Sequence, residues 1–204
     1  MTEREASKRI QALKAGAAVL ALILAAAAVF AIVTRSHRGA GGKVRAELEM
    51  LQTTESAGSQ LDAMHELLTK ESGEEFDEFL EKVRDFDYEI IGTETVKEND
   101  ANYTKVNVRI RTRDFGSEYL AAWADYLKEN SDVSADDDDL REFYGMLFGR
   151  LAGLEKKSYI KDVTIVAIDP IDNDEWITDI SGNEELQDAL FGGMIGEMRS
   201  LAEE

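Results

Sequence analysis

Residues 103–113, YTKVNVRIRTR, alternate strictly, with Thr104, Val106, Val108, Ile110 and Thr112 on one parity and Lys105, Asn107, Arg109, Arg111 and Arg113 on the other. A period of two sends the first set to one side of an extended chain and the second to the opposite side, so the segment predicts a half-buried strand. Upstream, Phe86, Tyr88 and Ile90 alternate with Asp87 and Glu89, and Glu98-Asn99-Asp100 supplies a turn between the two runs. The pair reads as an antiparallel hairpin.

A second strand pair is expected at about 158–168 and 174–180, joined through Asp169-Pro170-Ile171-Asp172-Asn173. Helical spacing surrounds these pairs. Val44, Leu48 and Leu51 recur at i, i+4, i+7, and Leu61, Met64, Leu67 and Leu68 continue such a stripe beyond a break at 56–59. Ser72 and Glu75 have the spacing of a capping box, opening a helix with Phe76, Phe79, Leu80 and Val83 on one face. Further helices are expected at about 116–129 and 139–155, and a continuous amphipathic one at 183–202. Strands paired through tight turns need no crossover helix, so this order predicts an α+β fold: about four antiparallel strands with helices over one face.

Outside this domain one feature dominates. Ala15 to Val33 (AGAAVLALILAAAAVFAIV) is a run of nineteen residues without a charge. As a helix it would extend roughly 28 Å, close to the ~30 Å hydrocarbon thickness of a bilayer. It is expected to hold the protein in a membrane, dividing the chain into a tail (1–14), a transmembrane helix (15–33), a basic, glycine-containing juxtamembrane tether (34–43) and a soluble domain (44–204). A cleaved signal peptide competes, since Arg4, Lys8, Arg9 and Lys14 form a basic n-region and Val29-Phe30-Ala31 offers small residues near a cut. The run exceeds the roughly 7–15 residues of such a segment, so retention is expected. Four Lys/Arg flank the span on each side, leaving orientation undecided by charge.

Of the 42 acidic residues only Glu3 and Glu5 precede residue 44, against seven of the 23 basic ones, so the domain holds 40 acids and 16 bases. Such a surface repels nucleic acid, which is excluded as a partner. The chain has no cysteine, which removes disulfides, thiolate metal sites, thiol nucleophiles and an acylated lipoprotein anchor. Its two histidines, His37 and His65, cannot form a cluster, so neither a zinc site nor a Ser-His-Asp triad is expected. No glycine-rich phosphate loop follows a strand, and Gly192, Gly193 and Gly196 lie within a helical pattern. No metal or other cofactor is expected.

The stripe Lys105, Arg109, Arg111 and Arg113, stepping about 7 Å per pair of residues, is the candidate surface for an anion or partner. The ordinary alternative is cross-strand pairing with Asp87, Glu89, Asp162 or Asp179. Asp136 to Asp139 lack the glycine-turned spacing of a calcium loop and precede a helix, where negative charge is favourable. Asp169, Asp172 and Asp174 fit turn chemistry. Gly145, Gly149 and Gly153 share a helix face, read as close packing within the domain or as an oligomer contact. Tyr88, Trp123, Tyr159 and Trp176 are candidates to line a pocket between sheet and helices.

Three strings, DYEIIGTE (87–94), RDFGSEYL (113–120) and EWITDISGNEELQDALFGG (175–193), resemble a largely uncharacterised group of small extracytoplasmic cystatin/NTF2-like domains in Gram-positive membrane-anchored proteins and lipoproteins. The likeness covers about 75–203, and its best mark is a tryptophan strand followed by a helix ending in leucine and a double glycine (Trp176, Ile180, Leu186, Leu190, Gly192, Gly193). It implies a curved antiparallel sheet around a conical cavity and a domain outside the cell. Some domains of that shape are isomerases or dehydratases; others are soluble parts of membrane-anchored secretion and conjugation assemblies. The expected function is therefore a non-catalytic, membrane-anchored binding or interaction domain for a protein partner or small ligand. The alternatives are a subunit of an envelope assembly, with oligomer contacts, and a cone-pocket enzyme using Tyr88, Asp87 or His65.

Overall fold

The computed structural model describes residues 39–53, 68–98, 101–129, 137–169 and 176–203. The alternation at 103–113 becomes the second strand of an α+β fold, with four antiparallel strands in the order β1-β2-β3-β4. Strands β1 (Asp87–Glu98) and β2 (Ala101–Thr112) pair along their whole length, apart from a register shift between Ile90 and Gly92. Strand β3 (Tyr159–Ile168) lies against β2, and β4 is only Ile177–Thr178. Beyond Thr178 one backbone bond, Asp179 N to Val166 O at 3.1 Å, is supplemented by side chains: Asp179 Oδ1 accepts from Val166 N at 2.9 Å, and Asn183 Nδ2 donates to Thr164 O at 2.9 Å. The second hairpin is thus far shorter than the expected 174–180, within the residues described.

Thr104, Val106, Val108, Ile110 and Thr112 are all buried, as the alternation required. The apolar residues of β3 divide evenly between its two sides; registry with β2 decides the matter. Val106 pairs with Ile165 and Val108 with Val163, so Val163, Ile165 and Ala167 share the covered face. Helices α1 (Ala40–Thr53) and α5 (Glu184–Leu190) cover it, inserting Val44, Leu48, Leu51, Leu186 and Ala189. The sheet is open and uncurled, which corrects the expected curvature.

A second core lies among four helices: α2 (Lys70–Arg84), α3 (Phe115–Glu129), α4 (Asp137–Ala152) and α6 (Met194–Glu203). Its aromatic centre includes Phe79, edge-on to Phe115 at 5.2 Å, and Trp123, edge-on to Phe143 at 5.1 Å. These helices join the sheet where β1 begins, β2 ends and β3 begins, so the bundle occupies one end of the strands and the hairpin turns the other. Gly145 and Gly149 let α4 approach α2: a Cβ at these positions would stand 2.8 Å from Ser72 Oγ and 2.9 Å from Glu75 Oε1.

Several local expectations are revised. Helix α1 begins at Ala40, inside the segment read as tether, and Ala40 and Lys43 are buried. Packing on the sheet overrides the weak helix propensity of Gly41 and Gly42. Helix α2 is capped one turn early: Thr69 Oγ1 accepts from Ser72 N at 3.2 Å, so Ser72 is not the cap. The C-terminal helix is broken, because Gly192 (φ +54°) and Gly193 (φ +81°) adopt the left-handed conformation that ends α5. No helix among the described residues is long and apolar enough to cross a membrane; the expected span 15–33 lies outside them. So do the break at 56–59 and the stripe at 61–67.

Two consequences are measurable. A Cβ at Gly192 would fall 1.9 Å from Arg113 O. Gly192→Ala should therefore cost on the order of 3 kcal/mol in urea unfolding, and a midpoint equal to wild type would refute the close approach. Burial pushes the Tyr119 hydroxyl up to about 12, and burial followed by the nearby Tyr119 raises that of Tyr144 as well. Both stay protonated in the fold while their unfolded counterparts ionise near pH 10. The contribution of these two tyrosines should thus be level up to about pH 10 and fall above it by about 1.4 kcal/mol per pH unit for each, for Tyr119 as far as about pH 12, read by denaturant titration with ultraviolet detection of tyrosinate.

Candidate functional site

The four cations of the candidate stripe separate into different roles. Arg113 lies one residue past the end of β2 and is 6% exposed. Its Nε donates to Leu154 O at 2.8 Å, its Nη1 to Lys82 O and Asp85 O at 3.1 Å each, and its Nη2 to Asp85 Oδ2 at 2.9 Å. It therefore ties the end of β2 to the end of α2 and to the chain leaving α4. This corrects its reading as a binding residue: the strand stops at Thr112, so the outward parity does not extend to residue 113.

Arg109 does point outward, but it is engaged by Asp162 on the neighbouring strand through two parallel bonds of 2.7 and 2.8 Å. That contact holds the Asp162 carboxyl below the usual carboxylate range. The cross-strand alternative therefore applies to Arg109. Lys105 and Arg111 remain on the outward face with no ion pair among the described residues, opposite Glu94 and Asp87 in register.

Every large apolar side chain with high exposure among the described residues belongs to the outward side of the sheet or its bulge. Ile160 (52%), Ile168 (45%) and Ile177 (59%) occupy outward register positions, and Ile91 (41%) sits at the irregularity in β1. Helices α1 and α5 cover only the opposite face. A half-charged, half-apolar sheet face is left open, and it is the main candidate interaction surface. The alternation in β2 signals its basic half; its apolar half follows from which side of β3 faces outward, and that depends on pairing.

The four pocket aromatics are not brought together. Tyr88 and Trp176 pack on the sheet core and Trp123 within the helical core. Tyr159 lines a cleft of about 420 Å³ at the joint between sheet and bundle, with Asp114, Asp188 and Glu197 on its walls and Gly192 and Gly193 on its floor. Burial first, then Asp188, Asp114 and Glu197, raises the Tyr159 pKa, so its hydroxyl remains protonated at neutral pH. Two of the three carboxylates serve helix starts: Asp114 accepts from Ser117 N at 3.0 Å, and Asp188 from Gly196 N at 2.8 Å. Gly116 N donates to Gly192 O at 3.0 Å, so the cleft is a seam where α3 is stitched to the junction of α5 and α6.

The residues named for acid–base chemistry are likewise apart. Asp87 is exposed and bonded to Lys157, while Tyr88 projects to the opposite face and donates to Glu49 at 3.2 Å. His37, His65, Asp136, Asp172 and Asp174 lie outside the described residues, and among those described no group of acids or histidines has a metal-binding arrangement. No family model, curated protein or solved structure matches this chain.

The division of the stripe predicts unequal losses. Arg113→Ala should lower stability by about 3 kcal/mol, because it leaves buried carbonyls without donors. Arg109→Ala should leave the urea midpoint near wild type, since its pair is open to solvent. Equal midpoints for the two variants would remove the distinction drawn between them.

Proposed function

We propose that this chain is a single-pass membrane protein whose residues 15–33 anchor a non-catalytic, extracytoplasmic domain, and that the open sheet face is where this domain binds a protein partner. The observation supporting a binding role is the exposure of Ile160, Ile168 and Ile177 on the same side of the sheet as Lys105 and Arg111, a side that no described helix covers. Exposed isoleucines grouped on one face are unfavourable in water and mark a contact surface. Charged residues among them supply register and selectivity. Membrane attachment rests on the uncharged run at 15–33. Placement outside the cell rests on the resemblance to cystatin/NTF2-like domains, to which helices over one face of an antiparallel sheet are also suited. The same face would serve a subunit of an envelope assembly.

Fractionation tests the anchor. The full chain should stay with membranes through alkaline carbonate extraction, and Leu22→Arg/Leu24→Arg should release it; an unaltered chain found in the soluble fraction refutes the reading. For the binding face, a photo-crosslinking residue at Ile160 should give a discrete adduct in cells, and one at the exposed Glu185 of α5 none. Equal outcomes at both positions would reject the sheet face as the contact.

A further inference from the structure

The outward face of the sheet changes character along the strands. At the bundle end its cross-strand rows are charged: Asp87 pairs with Arg111, which pairs with Ile160, and the next row is Glu89, Arg109 and Asp162. At the hairpin end one row crosses all four strands and carries no charge: Val96 pairs with Tyr103, Tyr103 with Ile168, and Ile168 with Ile177. Two of its members, Ile168 and Ile177, are among the most exposed apolar residues described.

Helix α1 shows which end lies closer to the anchor. Gly41 in its first turn lies against Ile90 and Thr93, each about 4.0 Å from where its Cβ would be. At the other end Gln52 Nε2 donates to Phe86 O at 2.6 Å. The helix therefore runs antiparallel to β1, and its N-terminus points toward the hairpin turns. Strand β1 continues from Thr93 to Glu98, about 16 Å further in that direction at ~3.3 Å per residue. Only residues 34–39 separate the apolar run from α1, a reach of about 20 Å when fully extended. The hairpin end thus overhangs toward the side from which the anchor arrives, by a length close to that of the linker.

We propose that the uncharged row Val96, Tyr103, Ile168 and Ile177 rests on the lipid surface, seating the domain with its hairpin end on the bilayer and its helical bundle away from it. This rests on the anchored reading above and assigns the lower rim of the open face to lipid; Ile160 and Arg111 at the far end stay available to a partner. Isoleucine and valine enter the boundary between headgroups and acyl chains, and a tyrosine in the row suits that depth. Asp169 follows Ile168 directly and the sequence continues through Asp172, Asp174 and Glu175, so the surface suited to this contact is zwitterionic, because anionic headgroups would repel these carboxylates.

The chain lacks cysteine, so a single introduced thiol is a unique label site. Full-length Ile168→Cys, Ile177→Cys and Ile160→Cys, each carrying a small environment-sensitive fluorophore, would be placed in phosphatidylcholine nanodiscs containing lipid nitroxides in the upper acyl region. Quenching at positions 168 and 177 should exceed that at 160 by about threefold or more. A label at Val96→Cys should lose its quenching when Ile168→Ser and Ile177→Ser are added, with disc incorporation unchanged. Quenching at 168 and 177 no greater than at 160, in discs the chain has entered, overturns the seating alone. A chain that fails to enter the discs overturns the anchor and the seating together.

Discussion

Arg113 sits where three chain crossings meet, and the relation between the two cores depends on it. There the end of α2 and the chain leaving α4 present carbonyls beside the end of β2. One planar guanidinium satisfies Leu154, Lys82 and Asp85 together. Lys157, and Arg113 after it, hold the Asp85 carboxyl below its usual range despite partial desolvation. Lys82 adds bonds to Leu154 O and Glu155. A lysine in place of Arg113 would bring a single nitrogen to a place that uses three, because the fork of the guanidinium is what spans the crossings.

Around that joint the helical bundle and the sheet differ in how they are packed. The helical core is aromatic and buried, and the cleft beside it is a seam whose carboxylates cap helices. The sheet has one face covered by α1 and α5 and one face open. Because α1 follows closely on the apolar run at 15–33 and packs directly into the sheet core, only a short stretch of sequence separates that run from the sheet. The direction of α1 along β1 is defined by the contacts of Gly41 and Gln52.

The parts of the fold legible in the sequence are those governed by local period. Alternation at 103–113 identified β2 and its buried parity, and helical spacing located α1 through Val44, Leu48 and Leu51. Legibility ended where an outcome depended on a distant partner. The alternation appeared to include Arg113, yet the strand stops one residue earlier and the side chain turns into the joint. Ser72 and Glu75 had the spacing of a capping box, but Thr69 one turn earlier takes the amide. Periodicity across 183–202 read as one helix; Gly192 and Gly193, at positive φ and pressed against Arg113 and Tyr159, divide it.

From the sequence alone came the pairing of strands through turns, the buried parity of β2, the lack of cysteine and one uncharged run long enough to span a bilayer. These follow from periods and compositions that the chain carries locally. Tertiary packing settled which face of β3 is buried, that Arg109 is ion-paired while Lys105 and Arg111 have no ion pair among the described residues, and that Ile160, Ile168 and Ile177 share one side of the sheet. Each of these is a matter of registry between strands far apart in sequence. Shifting a pairing by one residue exchanges the two faces without altering the composition of either strand.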